Sequence, residues 1–319
     1  MEYINMQGIQ IPPCMIGTWA WGGGVNGSKM VFGQSYDEEQ LRNTFQCARN
    51  AGFTMWDTAE VYGMGNAEAL LGVFIKNQDV LISTKHMPGK RFRPGAMEES
   101  LKASCERLEI DAPDLYWIHL PNQVEENVKA AIELLKAGKI KALGVSNYSL
   151  AQIQKADAML QQEGFRLAAV QNHFSLLSRG KDQLEIIEWC KEQQVVYFSY
   201  MVLEQGALTG RYDEKHHFKT FSLRGLQFSK KKFRKIQKLL DYEKALGVKY
   251  QVDTSQIPIA WAIARHTVPI VGLTKEKHAE QLRTVLDVHL TEEELCRLET
   301  LAEESGVVIK GTWEPKHNR

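Results

Sequence analysis

The sequence predicts one (β/α)8 barrel spanning residues 1–319, and three observations carry that prediction. Short apolar, β-rich runs alternate eight times with longer segments of helical spacing. Such alternation implies βαβ units on a parallel sheet, and eight units suit a closed barrel better than an open sheet. No Pro/Gly/Ser-rich linker divides the chain, and barrels of this length are routinely one domain. Nearly every run also ends on a polar or ionisable side chain, as expected where barrel strands open into the loops that carry chemistry.

The runs, in order, are MIGTW (15–19), FTMWD (53–57), VLISTK (80–85), DLYWIHL (114–120), IKALGVSN (140–147), AAVQN (168–172), VVYFSY (195–200) and VPIVGL (268–273). Helices are expected over 37–50, 66–77, 95–109, 124–137, 149–163, 181–193 and 254–266. In the fourth of these, Val128, Ile132 and Leu135 fall on one face, the pattern of a helix lying on a sheet. An extra helix is expected over 291–304, opened by the capping box Thr291-x-x-Glu294, with a tail over 305–319. The segment 201–229 follows neither helical nor strand period. It is long, polar and glycine-punctuated, and it follows strand seven, where barrels often build phosphate sites. Lys230, Lys231 and Lys232 read as a charged helix face.

Hydrophobic residues make up 44% of the chain and charged residues 24%, an ordinary globular balance with ample material for a core. The 39 basic and 39 acidic residues cancel, which argues against nucleic acid or an anionic membrane as partner. No apolar run approaches the roughly 18 residues of a membrane span, and no signal peptide is visible. Five scattered cysteines without a C-x-x-C pair read as reduced thiols in a cytoplasmic protein, with no zinc site. The doublet His216-His217 reads as a solvated loop, not a metal site, and the sequons at Asn26 and Asn147 as chance matches.

The stretch WDTAEVYGMG (56–65) places an acid, Asp57, five positions before a phenol, Tyr62. Lys85 and His119 leave the next two strands, so all four side chains are expected on one rim. A phenol near pKa 10 is a poor acid at neutral pH unless a cation lies close. Lys85 is expected to supply that cation and to lower the phenol's pKa, with Asp57 holding the lysine charged. His119 can hydrogen-bond a carbonyl oxygen. Together they can give a proton to a carbonyl oxygen and stabilise the charge that develops there. Proton donation is half of a reduction; the hydride must come from a cofactor. Gly63-Met64-Gly65 lacks the third glycine and the acid of a dinucleotide fingerprint, so a Rossmann site is not expected.

The runs D-T-A-x-x-Y-G (57–63), S-T-K (83–85), I-H-L (118–120), G-V-S-N (144–147) and Q-G-x-L-T-G (205–210) together resemble the aldo-keto reductase superfamily. The similarity extends from G-T-W-A-W-G (17–22) to V-P-I-V-G (268–272). It implies a barrel whose base is closed by an N-terminal hairpin, a small carbonyl substrate, and NADP(H) as cofactor, with NAD(H) as the alternative. By resemblance, Tyr62 is the general acid/base and Asp57, Lys85 and His119 complete a tetrad. Ser146, Asn147 and Gln171 match the residues that bind the nicotinamide carboxamide, and Tyr200 the aromatic stacked on its ring. Leu203 to Gly210, with Gly206 between, match the strap over the pyrophosphate. Gly272, Leu273, Thr274, Lys275 and His278 match the segment at the adenosine ribose and its 2′-phosphate. Trp19 and Trp21 are expected to line the substrate pocket. Some relatives of this fold serve instead as nucleotide-binding regulatory subunits with slow turnover.

The chain departs from the family pattern in places. Met201-Val202-Leu203 stands where Ser-Pro-Leu is usual, and Gln281 and Leu282 stand where an acid and an asparagine usually meet the adenine. The arginine often found near 274 or 278 is absent, leaving Lys275 and His278 as the expected cations. Leu120 makes the wall beside His119 aliphatic.

Overall fold

A computed structural model describes residues 1–23, 35–219 and 222–311. The sequon at Asn26 and the end of the tail, 312–319, lie outside the described residues. The chain opens with an antiparallel hairpin, β1 (Ile4–Met6) and β2 (Ile9–Ile11). Eight parallel strands then close a barrel. They are β3 (Met15–Gly17), β4 (Met55–Asp57), β5 (Leu81–His86), β6 (Leu115–Ile118), β7 (Leu143–Ser146), β8 (Ala169–His173), β9 (Val196–Tyr200) and β10 (Val268–Gly272). Each strand pairs with the next, and β10 returns to β3, as the predicted (β/α)8 barrel requires.

Between the strands lie α1 (Glu38–Asn50), α2 (Asn66–Ile75), α3 (Ala96–Leu108), α4 (Val124–Lys136), α5 (Leu150–Gln162) and α6 (Lys181–Gln193). Their starts are fixed locally: Asp37 accepts from the Gln40 amide, and Ser149 and Gln152 form a capping box. Before β10 come the short α7 (Leu223–Gln227), α8 (Lys230–Tyr250) and α9 (Gln256–Ala264); after it come α10 (Glu276–Val285) and α11 (Glu292–Glu304). The capping box at Thr291 opens α11 as expected.

The 21-residue α8 begins on the charged helix face expected at Lys230, Lys231 and Lys232 and runs well beyond it. Its buried stripe, Phe233, Ile236, Leu239, Leu240 and Leu246, is interrupted by Glu243 and Gly247, which blurs the apolar period. The segment 201–229 is irregular apart from α7 and a 3-10 turn at Glu204–Gly206.

The core divides into two clusters. The larger lies between strands and helices. The smaller fills the barrel, where Met15, Met55, Leu115, Trp117 and Phe198 meet Met6 and Ile11 of the hairpin. The hairpin therefore closes the end of the barrel where the strands begin, leaving chemistry to the other end. Trp117 is the main filler; a Cβ on Gly144 would come within 2.3 Å of its ring, so only glycine fits there. Among the described residues no helix is long and apolar enough to cross a membrane. All five cysteines carry free thiols.

Candidate active site

Parallel register sets the strand exits at one level. Gly17 pairs with Asp57, Asp57 with Ser83, Lys85 with Trp117, and Ser146 with Gln171. Asp57 and Lys85 thereby turn inward side by side. The Lys85 ammonium bonds Asp57 Oδ2 and donates to the Thr58 carbonyl at 2.8 Å, and both side chains are buried. Ser83 Oγ, at 2.7 Å, and Gln171 Nε2, at 3.4 Å, donate to the other carboxylate oxygen. A buried ion pair is tolerable only when its remaining atoms are bonded in this way.

Tyr62 enters from the loop after β4. Its hydroxyl lies 3.3 Å from Lys85 Nζ, and its amide donates to the Ala59 carbonyl at 3.0 Å, closing a tight turn. The glycines that follow have a steric reason. Gly63 has φ +58°, and a Cβ there would stand 2.5 Å from the Gly23 carbonyl oxygen. An outer layer holds this loop to β5. Glu60 accepts from the Met87 amide and from Ser100 Oγ, and Glu68 accepts from Thr84 and Arg107. Lys85 is thus fixed between two residues, Thr84 and His86, whose surroundings are tied to the Tyr62 loop.

His119 follows β6, and its amide donates to the His86 carbonyl at 2.9 Å. Its ring meets Tyr62 edge-on, with centroids 6.1 Å apart. Burial, with Lys85 next in importance, depresses its pKa well below the ordinary histidine value, so the ring stays neutral near pH 7. Burial pulls the Lys85 ammonium down while Asp57 pulls it up.

For Tyr62 the expected direction is overturned. Burial, followed by the Asp57 charge, raises the phenol well above its usual value. The physical reason is that Lys85 is bonded to Asp57, so the pair presents little net positive charge to the hydroxyl while burial still penalises the phenolate.

The amide-bearing residues gather beside this group. Asn147 has φ +64°, and its Nδ2 donates to the His119 carbonyl at 3.0 Å and to Ser146 Oγ at 3.1 Å. Tyr200 Oη donates to Asn147 Oδ1 at 2.6 Å. Ser146, Asn147, Gln171 and Tyr200 therefore form one continuous belt with the tetrad. Leu203 starts the 3-10 turn, and Gly206, at φ +101°, ends it in a conformation that favours glycine.

Gly272 ends β10, the Thr274 carbonyl accepts from Gln40 Nε2 at 2.5 Å, and Lys275 caps the N-terminus of α10. His278 lies one turn into that helix. Burial, then the charges of Lys275 and Arg211, lower its pKa, with Asp253 opposing. Arg211, which follows the strap motif, is a cation that the sequence reading missed; it is remote from α10 in sequence and adjacent only in the fold. Asp253, likewise remote, accepts from Gln281 Nε2 at 3.2 Å, so an acid stands beside the position where the family pattern has one.

The two tryptophans part company. Trp19 is half-buried and stacks near Tyr62, with ring centroids 5.9 Å apart and 25° between planes. Trp21 lies deeper than Trp19. It is 4% exposed, donates its indole N–H to the Leu273 carbonyl at 2.7 Å and packs on Trp56 and Phe74, so the core takes it instead. His216 is paired with Asp213 and His217 with the Phe218 carbonyl, so the doublet turns to two different partners.

The donor set fits a nicotinamide dinucleotide phosphate. Hydroxyl and amide groups can match a carboxamide, and Tyr200 offers an aromatic surface beside them. Arg211, Lys275 and Lys277 act on His278 as positive charges with Asp253 opposing them, as suits a phosphate at a helix N-terminus.

Comparison with known proteins agrees with this geometry. The Aldo/keto reductase family profile matches residues 13–303. A chloroplastic pyridoxal reductase of Arabidopsis thaliana is 32% identical over 324 residues, covering 95% of this chain and 87% of the relative. The fold matches a glycerol dehydrogenase from Gluconobacter oxydans with a TM-score of 0.81 at 24% identity, over 100% of this chain and 99% of that one. An aldo-keto reductase from Klebsiella pneumoniae, solved in complex with NADPH, matches with a TM-score of 0.73 at 25% identity, over 94% and 95% of the two chains. With the profile running across the whole barrel, the chain belongs to the aldo/keto reductase family of oxidoreductases.

Proposed function

We propose that the protein reduces a small aldehyde or ketone to the alcohol, reversibly, with NADPH as cofactor and Tyr62 as the general acid. The observation that carries this reading is the Tyr62 hydroxyl at 3.3 Å from a buried lysine that is itself bonded to a buried aspartate. When bound, a reduced nicotinamide nucleotide supplies the hydride that no side chain can.

The chain's own residues supply the proton and the charge stabilisation. The raised pKa keeps Tyr62 protonated at rest, so a proton is always available to the carbonyl oxygen. As that proton leaves, negative charge forms on Oη beside the Lys85 ammonium, which stabilises it with little reorganisation. Neutral His119 donates a hydrogen bond to the same carbonyl oxygen. Ser146, Asn147 and Gln171 would orient the carboxamide, Tyr200 would stack on the ring, and the strap from Leu203 past Gly206 would cover the pyrophosphate. Gly272 and Thr274 would border the ribose. Lys275 and Arg211 would hold the 2′-phosphate, with His278 a weaker contact because its pKa is depressed. Trp19 forms the substrate side of the pocket.

The plant relative makes pyridoxal the first substrate to test. NADPH and NADH oxidation is followed with pyridoxal, a short aldehyde, a ketone and an aldose. Turnover of at least one carbonyl with a preference for NADPH is expected. Tight NADPH binding without turnover on any of the four would reject the reductase reading in favour of a nucleotide-binding subunit.

A further inference from the structure

Behind Tyr200 lies a buried acid–imidazole pair that the reaction above does not use. His173 ends β8 and is in register with Tyr200 on β9. The two rings are nearly parallel, with centroids 5.5 Å apart and 16° between planes. His173 Nε2 lies 2.8 Å from Glu204 Oε1, which also accepts from Ser175 Oγ. His173 is 1% exposed and Glu204 and Ser175 are 0% exposed, so solvent does not screen the pair. Glu204 belongs to the strap, immediately after Leu203. Its φ of +46° is a strained value for a non-glycine residue, and the fold holds it there with the carboxylate turned inward.

We propose that Glu204 and His173 are positioning residues that set, through the Tyr200 ring, how strongly the site prefers oxidised over reduced nucleotide. The proposal rests on the reading that nicotinamide stacks on Tyr200, on the face opposite His173. The proposal takes the pair as a neutral imidazole hydrogen-bonded to a carboxylate, which places one net negative charge behind the tyrosine. The nicotinamide ring is positive when oxidised and neutral when reduced, so that charge acts on one form only. His173 keeps the carboxylate bonded and the tyrosine ring parallel to its own.

Glu204→Gln tests this directly. The amide keeps the shape and an acceptor oxygen for His173 and Ser175, and it removes the charge. Kd values for NADP+ and NADPH are measured by quenching of protein fluorescence. The ratio of Kd for NADP+ to that for NADPH is expected to rise about tenfold, the effect of one charge across roughly 12 Å at an effective dielectric near 20. NADPH affinity itself should move less than about twofold, since the neutral ring feels little of a charge at that distance. If Glu204→Gln does not fold, Glu204→Ala leaves no buried amide to satisfy and predicts the same direction. Ser175→Ala removes a hydrogen bond to the carboxylate but not its charge, so it must leave the ratio unchanged. Equal weakening of both nucleotides in Glu204→Gln would overturn the proposal and reduce the pair to a prop for the strap. The underlying stacking has its own test: if Tyr200→Ala leaves both Kd values unchanged, the nucleotide does not stack there and that reading fails first.

Discussion

The hydroxyl of Tyr62 lies 3.3 Å from Lys85 Nζ, and the same ammonium stands 4.9 Å from the centroid of the Tyr62 ring. One cation therefore addresses both the oxygen that loses a proton and the ring that shares the resulting charge. At rest Asp57 balances that cation, and the phenol keeps its proton.

Tyr62→Phe removes only the hydroxyl. Loss of a general acid lowers kcat by about 10²–10⁴-fold. The NADPH Kd should stay within about twofold, because the phenol contributes a proton and not a nucleotide contact. Stopped-flow single turnovers and a fluorescence titration check the two halves; a kcat near that of the wild type would remove Tyr62 from its role.

The rate of reduction should be flat across neutral and moderately basic pH. A raised phenol stays protonated as pH climbs to its ordinary value of 10.0, so the acid is lost only above that. His119, held well below 6.5, contributes no falling limb near that pH. A kcat/KM profile between about pH 6 and 10 reads both. A limb centred near 6.5 that vanishes in His119→Gln would contradict the depressed imidazole.

Lys85→Met should destabilise the fold as well as abolish activity. It leaves the Asp57 carboxylate buried without its ion partner, a loss of about 3–5 kcal/mol. Adding Asp57→Asn removes the orphan charge, so the double variant should be more stable than Lys85→Met alone. Guanidinium unfolding of the two variants measures the difference; equal midpoints would mean that solvent or another cation compensates Asp57.

Arg211→Ala and Lys275→Ala should each raise the Kd for NADPH by about tenfold or more, the scale of one charge-assisted hydrogen bond. The Kd for NADH should hardly change, since it has no phosphate there to lose. His278→Ala should matter little at pH 7.5, and its effect should grow only as pH falls below 6.5, because the imidazole is depressed. Equal losses for both nucleotides in Arg211→Ala would place that residue on the pyrophosphate or the fold.

Glu243 gives a prediction away from the site. It is 0% exposed on α8, and neither carboxylate oxygen has a hydrogen-bond partner. Burial raises its pKa well above the ordinary value. In the unfolded chain it titrates near about 4.3, so native stability is fully present below that pH and is lost as pH rises toward the folded pKa. Glu243→Gln should therefore gain on the wild type as pH increases, by about 1.4 kcal/mol for each unit of displacement, and match it near pH 4. Urea midpoints at both ends of the range decide this; a constant difference would show that the carboxyl does not ionise differently on folding.

What the sequence determined by itself is what depends on neighbours along the chain. Strand and helix positions follow from local period, and strand exits follow from strand ends, so Asp57, Lys85 and His119 could be placed on one rim before any contact was known. The resemblance added Tyr62 and the belt of Ser146, Asn147, Gln171 and Tyr200, again at fixed offsets from strand ends. The tertiary structure decided what depends on burial and on distant segments. It took Trp21 into the core while leaving Trp19 beside Tyr62, a choice that two identical residues two positions apart do not reveal. It raised the phenol that Lys85 alone would have lowered, because Asp57 neutralises the lysine and burial acts on what remains. It also brought residues from elsewhere to the segment where the chain departs from the family pattern. Arg211, just after the strap, and Asp253, just before α9, both act electrostatically on His278 although both are remote from it in sequence. Charge and desolvation act through space, so residues far apart along the chain become one site only when the barrel closes.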